Sequence, residues 1–336
     1  MSEKNPFGPF VRRFLTEHVI IDCNLSRNTQ KSYRDTIRLL FSFIRERYGI
    51  EPVDLAVEQV TTDVVRAFLT HLEGQRGNSV ATRNLRLAAI HSIFKFVGRL
   101  VPELVDLSAQ VNGIPLRRAP VPSIPYLEKP EIDALLEAPD RETRQGRRDY
   151  ALLLFLYNSG ARADEAARLT VGDVSFRPSP SVRIHGKGSK TRFCPLWPHT
   201  TAVLQDLLGS RINGPQGAAI FLNVRGEPLT RFGIRTMVSR NTAKAAKKMP
   251  SLLEKRVSPH TIRHTTAVHL LRSGVDINTI RAWLGHVLLE TTNRYAEVDL
   301  EMKAKALASC AIGDADACAK PLWREDPDLM EFLTTL

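Results

Sequence analysis

The sequence predicts a mainly α-helical protein of two domains, with one small antiparallel β-sheet in the second. Three observations carry this. The first ~107 residues repeat apolar positions at helical spacing. A proline-dense stretch, "SAQVNGIPLRRAPVPSIPYL", interrupts the helical texture and holds Pro115, Pro120, Pro122 and Pro125. Beyond it, "SVRIHGKGSKTRFCPL" switches to alternation around a Gly-Lys-Gly-Ser turn, the pattern of a β-hairpin. The chain has 336 residues, which favours two domains over one.

In chain order, "TQKSYRDTIRLLFSFIRERYG" places Tyr33, Ile37, Leu40, Phe41 and Ile44 on one helical stripe and stops at Gly49. "TTDVVRAFLTHLEGQRG" starts at a threonine cap followed by Asp63, and ends at Gly74 or Gly77. "SVATRNLRLAAIHSIFKFVGR" starts at Ser79 and runs to Gly98. The polar faces of these helices carry Arg34, Arg38, Arg45, Arg83, Arg86 and Lys95, candidates for phosphate contacts. Residues 1–107 are thus expected to form a helical domain. Residues 108–125, with the Arg117–Arg118 pair, read as an extended linker, because proline at that density resists helix and strand. The second domain, 126–309, opens with two helices, "EKPEIDALLEAP" and the nearly all-apolar "RRDYALLLFLYNSG", which is expected to be buried. "ADEAARLTVGDV" continues as helix and turn, the hairpin follows, and helix dominates again from Thr200. Residues 310–336 form a tail in which Asp326 caps a short helix with Leu329, Phe332 and Leu333 on one side.

Charge narrows the class of partner. The net charge is +11; the first 118 residues carry +5, residues 119–309 carry +10 and the tail carries −4. A basic body with an acidic tail points to a polyanion, most often nucleic acid. No apolar run reaches the ~18 residues of a membrane span, and "MSEKNPFGPFVRRF" lacks the layout of a secretory signal. A cytoplasmic, nucleoid-associated protein without a membrane partner is the expectation. Cys23, Cys194, Cys310 and Cys318 form no C-x-x-C pair, which favours reduced thiols over disulfides or a cysteine zinc site.

Within "SPHTIRHTTAVHLLRSG", His260 and His264 lie four apart with Arg263 between them, so all three share a helix face. Paired histidines at this spacing are one way to hold zinc. Thr261 stands where a metalloprotease carries its glutamate, and Arg263 sets a fixed positive charge against any metal. An anion fits better. Ser258 and Pro259 cap the helix, so His260 sits near unpaired backbone N–H groups that attract negative charge. Elsewhere, Arg162 follows Gly160 at a helix start, Lys187 sits on the hairpin turn beside Lys190 and Arg192, and His286 and Tyr295 follow in "WLGH" and "TTNRYAEVD". A P-loop would need G-x-x-x-x-G-K-[ST], which is absent.

The order Arg, Lys, His-x-x-Arg, His, Tyr resembles the tyrosine recombinases, the phage integrase family. Their motifs look like "TGLRxSE", "GKGxKxR", "SPHxLRHxxAxxLLxxG" and "LGHxxxxTTxxY". This chain reads "NSGARADE", "GKGSKTR", "SPHTIRHTTAVHLLRSG" and "LGHVLLETTNRY". It departs at Asp164, where the family usually has serine, while Arg162 and Glu165 keep their places. The N-terminal helices look like the family's core-DNA-binding domain, which makes the implied architecture a C-shaped clamp around DNA.

The resemblance implies a site-specific recombinase that cuts and rejoins DNA through a 3′-phosphotyrosine, with Tyr295 as nucleophile. Lys187 would protonate the departing 5′ oxygen, His260 would assist proton movement at Tyr295, and His286 would hydrogen-bond the phosphate. Arg162 and Arg263 suit the phosphate oxygens on chemical grounds, since a guanidinium donates two parallel hydrogen bonds. Glu165 is expected to orient Arg162, three residues away, and His264 to support the face from behind. Neither metal nor cofactor has a task in this chemistry. Double-stranded DNA is the implied partner, with a DNA-assembled tetramer of this chain or of related recombinases. Two alternatives stay open: a non-cutting accessory subunit, and a type IB topoisomerase-like activity.

Overall fold

The computed structural model describes residues 5–118, 125–186 and 190–285. The chain divides into two compact units, Met1–Val121 and Pro122–Leu336.

In the first unit, α1 (Phe7–Arg13) runs into a π-helical turn, Phe14–Asp22, followed by α2 (Arg27–Tyr48), α3 (Thr62–Gly74), α4 (Val80–Leu100) and α5 (Val105–Asn112). Their starts follow from local chemistry. Ser26, Thr61 and Ser79 accept hydrogen bonds from the amides of Thr29, Val64 and Thr82, satisfying donors that the helix leaves open. Helix α2 ends at Gly49, whose φ of 68° is the left-handed conformation that glycine adopts cheaply. The faces meet in one core that includes Phe7, Phe14, Leu40, Phe43, Phe68 and Phe94.

Two sequence expectations are corrected here. Helix α4 passes through Gly98 and ends at Leu100. A Cβ at Gly98 would lie 2.7 Å from the Ser108 side chain, so this glycine serves helix packing rather than termination. The span assigned to an extended linker begins with helix: α5 continues to Asn112, and Val111 and Ile114 are buried in the N-terminal core.

In the second unit, α6 (Lys129–Glu137) leads to α7 (Arg144–Ser159), which is buried continuously from Arg148 to Ser159. Then come α8 (Ala163–Ala167), β1 (Val174–Ser175), β2 (Ser181–His185) and β3 (Thr191–Pro195), and afterwards α9 (Pro198–Leu208), α10 (Arg231–Ala245), α11 (Pro259–Arg272) and α12 (Ile277–Leu284). The strands form an antiparallel sheet in the order β1-β2-β3. Val182 pairs with Cys194 and Ile184 with Arg192, so the predicted alternation turns Val182 and Ile184 into the core.

Helix α7 is the axis of this unit, and α11 is fixed to it. Thr266 donates to the Tyr157 carbonyl at 2.7 Å, and Thr265 accepts from the Leu127 amide at 2.9 Å. At the other end of α7, the buried carboxylate of Asp149 takes ion pairs from Arg148 and Arg240 and a hydrogen bond from Asn241 at 3.2 Å. Arg148 also donates to the Leu222 carbonyl at 2.9 Å. Removing one partner of a buried pair strands the others. Asp149→Ala is expected to cost about 3 kcal/mol of unfolding free energy, measured by urea titration; a loss below about 1 kcal/mol would place the network among ordinary surface pairs.

Candidate active site

Arg162 is the N-cap of α8, one turn beyond the end of α7. The turn depends on Gly160, whose φ is 59° and whose absent side chain leaves room for Leu284: a Cβ there would lie 2.4 Å from a Leu284 methyl. This close approach brings the end of α12 to the start of α8. Arg263, from α11, fills the junction. It is 1% exposed and donates to the carbonyls of Gly160 and Leu284, each at 2.6 Å. Three chain segments are thus tied by one buried cation.

Glu165 lies beneath Arg162, 5% exposed. One of its oxygens accepts from the Arg162 amide at 2.9 Å and the other from the Arg162 guanidinium at 2.8 Å. Arg192 approaches from β3, donating to both oxygens at 3.2 and 2.8 Å. Burial would raise the Glu165 pKa, but the Arg192 hydrogen bond and charge, then Arg162, outweigh it and bring it down to about 2. The expected orienting role of Glu165 therefore has its geometry. Arg192, expected to contact DNA, is instead turned inward, its side chain 10% exposed.

His260 opens onto a cleft of about 670 Å³ lined also by Arg162, His264, Arg231, Phe232, Arg235 and Arg256; among the described residues its lining includes no carboxylate. Desolvation first, then the charges of Arg263 and Arg162, lower the His260 pKa, so at neutral pH its imidazole is neutral and able to accept a proton. His264 packs behind it, the ring centroids 4.2 Å apart and near-perpendicular. Ser258 caps α11 as predicted, accepting from Thr261. His269 is half-buried and hydrogen-bonds Tyr157 at 2.7 Å, away from this cleft.

Of the remaining predicted site residues, Lys187, His286 and Tyr295 lie outside the described residues, as does the tail. Lys190 is exposed immediately before β3. In the first unit, Arg38, Lys95 and Arg118 are exposed, and Arg34 and Arg117 are exposed but paired to Asp35 and Glu73. Arg83 does not lie on a polar face. It is 5% exposed and donates to Asn84 and the Pro115 carbonyl. Arg86 braces α4 against α2 through the Ser32 carbonyl at 3.1 Å and the Thr36 hydroxyl at 3.0 Å. Sequence reasoning missed Arg231, Arg235 and Arg256. No motif marks them, because the cleft collects them from the start of α10 and the approach to α11.

A helical unit is followed by a mixed unit in which Arg162 at the start of α8 and His260 at the start of α11 share a cleft, with Arg263 buried beneath the α7 end. The comparisons supply the family. Residues 125–302 match the Phage integrase family, and residues 11–99 match the phage integrase N-terminal SAM-like domain. A protein named integrase/recombinase y4rC, from Sinorhizobium fredii, is 38% identical over 336 residues, the full length of both chains. Tyrosine recombinase XerC of Bacillus subtilis is 32% identical over 301 residues, covering 87% of this chain and 93% of its own.

Among solved structures, the XerH site-specific recombinase bound to a palindromic difH substrate shares the fold with a TM-score of 0.69 at 19% identity, covering 92% of this chain and 98% of that one. The Tn1549 transposon integrase in complex with transposon right-end DNA does so with a TM-score of 0.68 at 16% identity, covering 89% and 98%. The chain belongs to the phage integrase family, the tyrosine recombinases. It is a tyrosine-type DNA strand transferase, an enzyme that cuts and rejoins DNA strands. Among the described residues, no helix is long and apolar enough to cross a membrane.

The Glu165 pKa fixes the sign of a pH effect. It is held at about 2, against 4.5 for an unperturbed glutamate. A depressed carboxylate stabilises the fold fully above the unfolded value, and that contribution is lost as pH falls toward the folded value. Glu165→Gln is expected to lower unfolding free energy by about 3 kcal/mol at pH 7. The gap from wild type should close between pH 4.5 and about 2. Chemical denaturation across that range measures it; a gap independent of pH would refute the charge-based origin.

Proposed function

We propose that this enzyme performs site-specific recombination through a 3′-phosphotyrosyl intermediate. The Tyr295 hydroxyl attacks the scissile phosphorus, the P–O bond to the 5′ oxygen breaks, and that oxygen takes a proton from Lys187. The phosphodiester bond energy is kept in the phosphotyrosine, so a second 5′ hydroxyl reverses the step and rejoins the strand without ATP. Arg162 donates to the non-bridging oxygens, and Arg263 supplies a fixed buried charge behind it. Preorganised charge at the site of developing negative charge is commonly the largest catalytic contribution. Neutral His260 receives the tyrosine proton, and His286 hydrogen-bonds the phosphate.

One observation supports this: Arg162 and His260 line the same cleft together with Arg231, Arg235 and Arg256. A cleft with four arginines in its lining suits a polyanion. The Tn1549 transposon integrase was solved in complex with transposon right end DNA, and double-stranded DNA is the polyanion we assign to this cleft. The two units then contact one duplex together, with four active sites in a DNA-assembled tetramer. The full motif set, Arg162, Lys187, His260, Arg263, His286 and Tyr295, disfavours the accessory-subunit alternative. A topoisomerase-like activity is excluded if plasmid without a selected site is not relaxed.

The test is covalent trapping on a pool of nicked duplexes of randomised sequence. Wild type should yield an adduct resistant to denaturant. Tyr295→Phe should bind the recovered duplexes and yield none. Arg162→Lys should lose about 100-fold in trapping rate, because a point charge cannot reproduce the bidentate fork. Trapping by Tyr295→Phe would remove the nucleophile assignment. Absence of any wild-type adduct would return the accessory-subunit alternative.

A further inference from the structure

We infer that Arg192 is a positioning residue of the active site, setting Arg162 and the peptide that leads into His286 at the same time. It does so without touching DNA. The inference rests on the phosphate-site assignment above and names a residue in it whose charge the sequence attributed to DNA contact.

The observations converge on one guanidinium. Arg192 carries no more than 10% side-chain exposure, and its two terminal nitrogens reach both Glu165 oxygens, at 3.2 and 2.8 Å. The same Glu165 oxygens hold the Arg162 amide and guanidinium. Arg192 therefore fixes the rotation of the carboxylate on which Arg162 rests. Its remaining nitrogen, Nε, donates to the Trp283 carbonyl at 2.9 Å. That carbonyl belongs to the last turn of α12, two residues before Gly285 and three before His286.

Gly285 confirms how tightly the two are fitted. Its φ is 66°, and a Cβ on it would meet the Arg192 side chain at 3.1 to 3.6 Å. The motif glycine ahead of His286 thus suits the left-handed backbone, and a side chain there would press on Arg192. Arg192 also sits in β3, directly opposite Ile184, five residues after Lys187 in the sequence. One planar cation thereby joins three motif-bearing segments: the Arg162 helix start, the hairpin and the α12 terminus. Lysine cannot replace it. A single ammonium lacks the fork that spans two carboxylate oxygens while a third nitrogen reaches a carbonyl.

The experiment compares full-length wild type with Arg192→Lys and Arg192→Ala, in two arms. The first uses no DNA. Backbone amide hydrogen exchange is read at Arg162, whose amide donates to Glu165, and at Gly285, with Leu153 in α7 as a core reference. Exchange at Arg162 and Gly285 is expected to rise about tenfold in Arg192→Lys, with Leu153 unchanged. Unchanged exchange at both sites, or an equal rise at all three, overturns the inference.

The second arm traps adduct on the nicked duplex pool at saturating DNA. Binding is expected to change less than about threefold and the trapping rate to fall about 100-fold, the penalty of a small misplacement of catalytic groups. The acid limb of the trapping rate should also move to higher pH in Arg192→Lys, and no acid limb from this carboxylate should remain in Glu165→Gln. Loss of binding with an unchanged rate at saturation makes Arg192 a DNA contact and overturns the inference. If Arg192→Ala does not fold, Arg192→Lys decides both arms. If wild type traps nothing, the strand-transfer assignment fails while the exchange arm still judges Arg192.

Discussion

The active site depends on a single buried carboxylate. Glu165 is enclosed by protein, and burial alone would raise its pKa. Arg192 and Arg162 keep it charged, and its two oxygens in return fix the position of both arginines. A phosphate-binding arginine on a loose side chain would lose much of its catalytic value to reorganisation. Here Arg162 keeps a side-chain exposure of 41% toward the cleft, while its amide and one guanidinium nitrogen are held from below.

The same economy of space governs Arg263. A cation that is 1% exposed needs strong acceptors. It finds two backbone carbonyls, at Gly160 and Leu284, where helices α7 and α12 end. Helix C-termini are the negative ends of their dipoles, so the carbonyls are well chosen for a cation. Both junctions carry a glycine with positive φ, Gly160 and Gly285. A side chain at Gly160 would collide with Leu284, and one at Gly285 would press on Arg192. The charge that lowers the His260 pKa is therefore built from backbone geometry as much as from side chains.

Local chemistry made much of this legible in the sequence. The serine and threonine caps at Ser26, Thr61, Ser79 and Ser258 signal their helices by themselves, and so does the alternation of Val182 and Ile184. The sharing of one α11 region by His260 and His264 was also legible, from their spacing of four, and their rings do pack together. What was not legible arises from packing across the chain. Arg83 and Arg86 occupy polar positions in a helical projection, yet α4 is covered on several sides, and both arginines become internal braces. Strand β1 is two residues long and exists only through its pairing with β2. Arg192 looks like part of a basic hairpin until α8 and α12 are brought against it. Arg231, Arg235 and Arg256 share a cleft but no motif.

We propose that the arginine-held cleft directs the Tyr295 hydroxyl at DNA. The most direct measurement is to trap the wild-type enzyme on nicked duplex, digest both components and identify the nucleotide-linked peptide by mass spectrometry. The account predicts one modified residue, Tyr295, carrying a 3′-phosphonucleotide. A nucleotide on any other side chain, or a 5′-phosphate linkage at Tyr295, would contradict it.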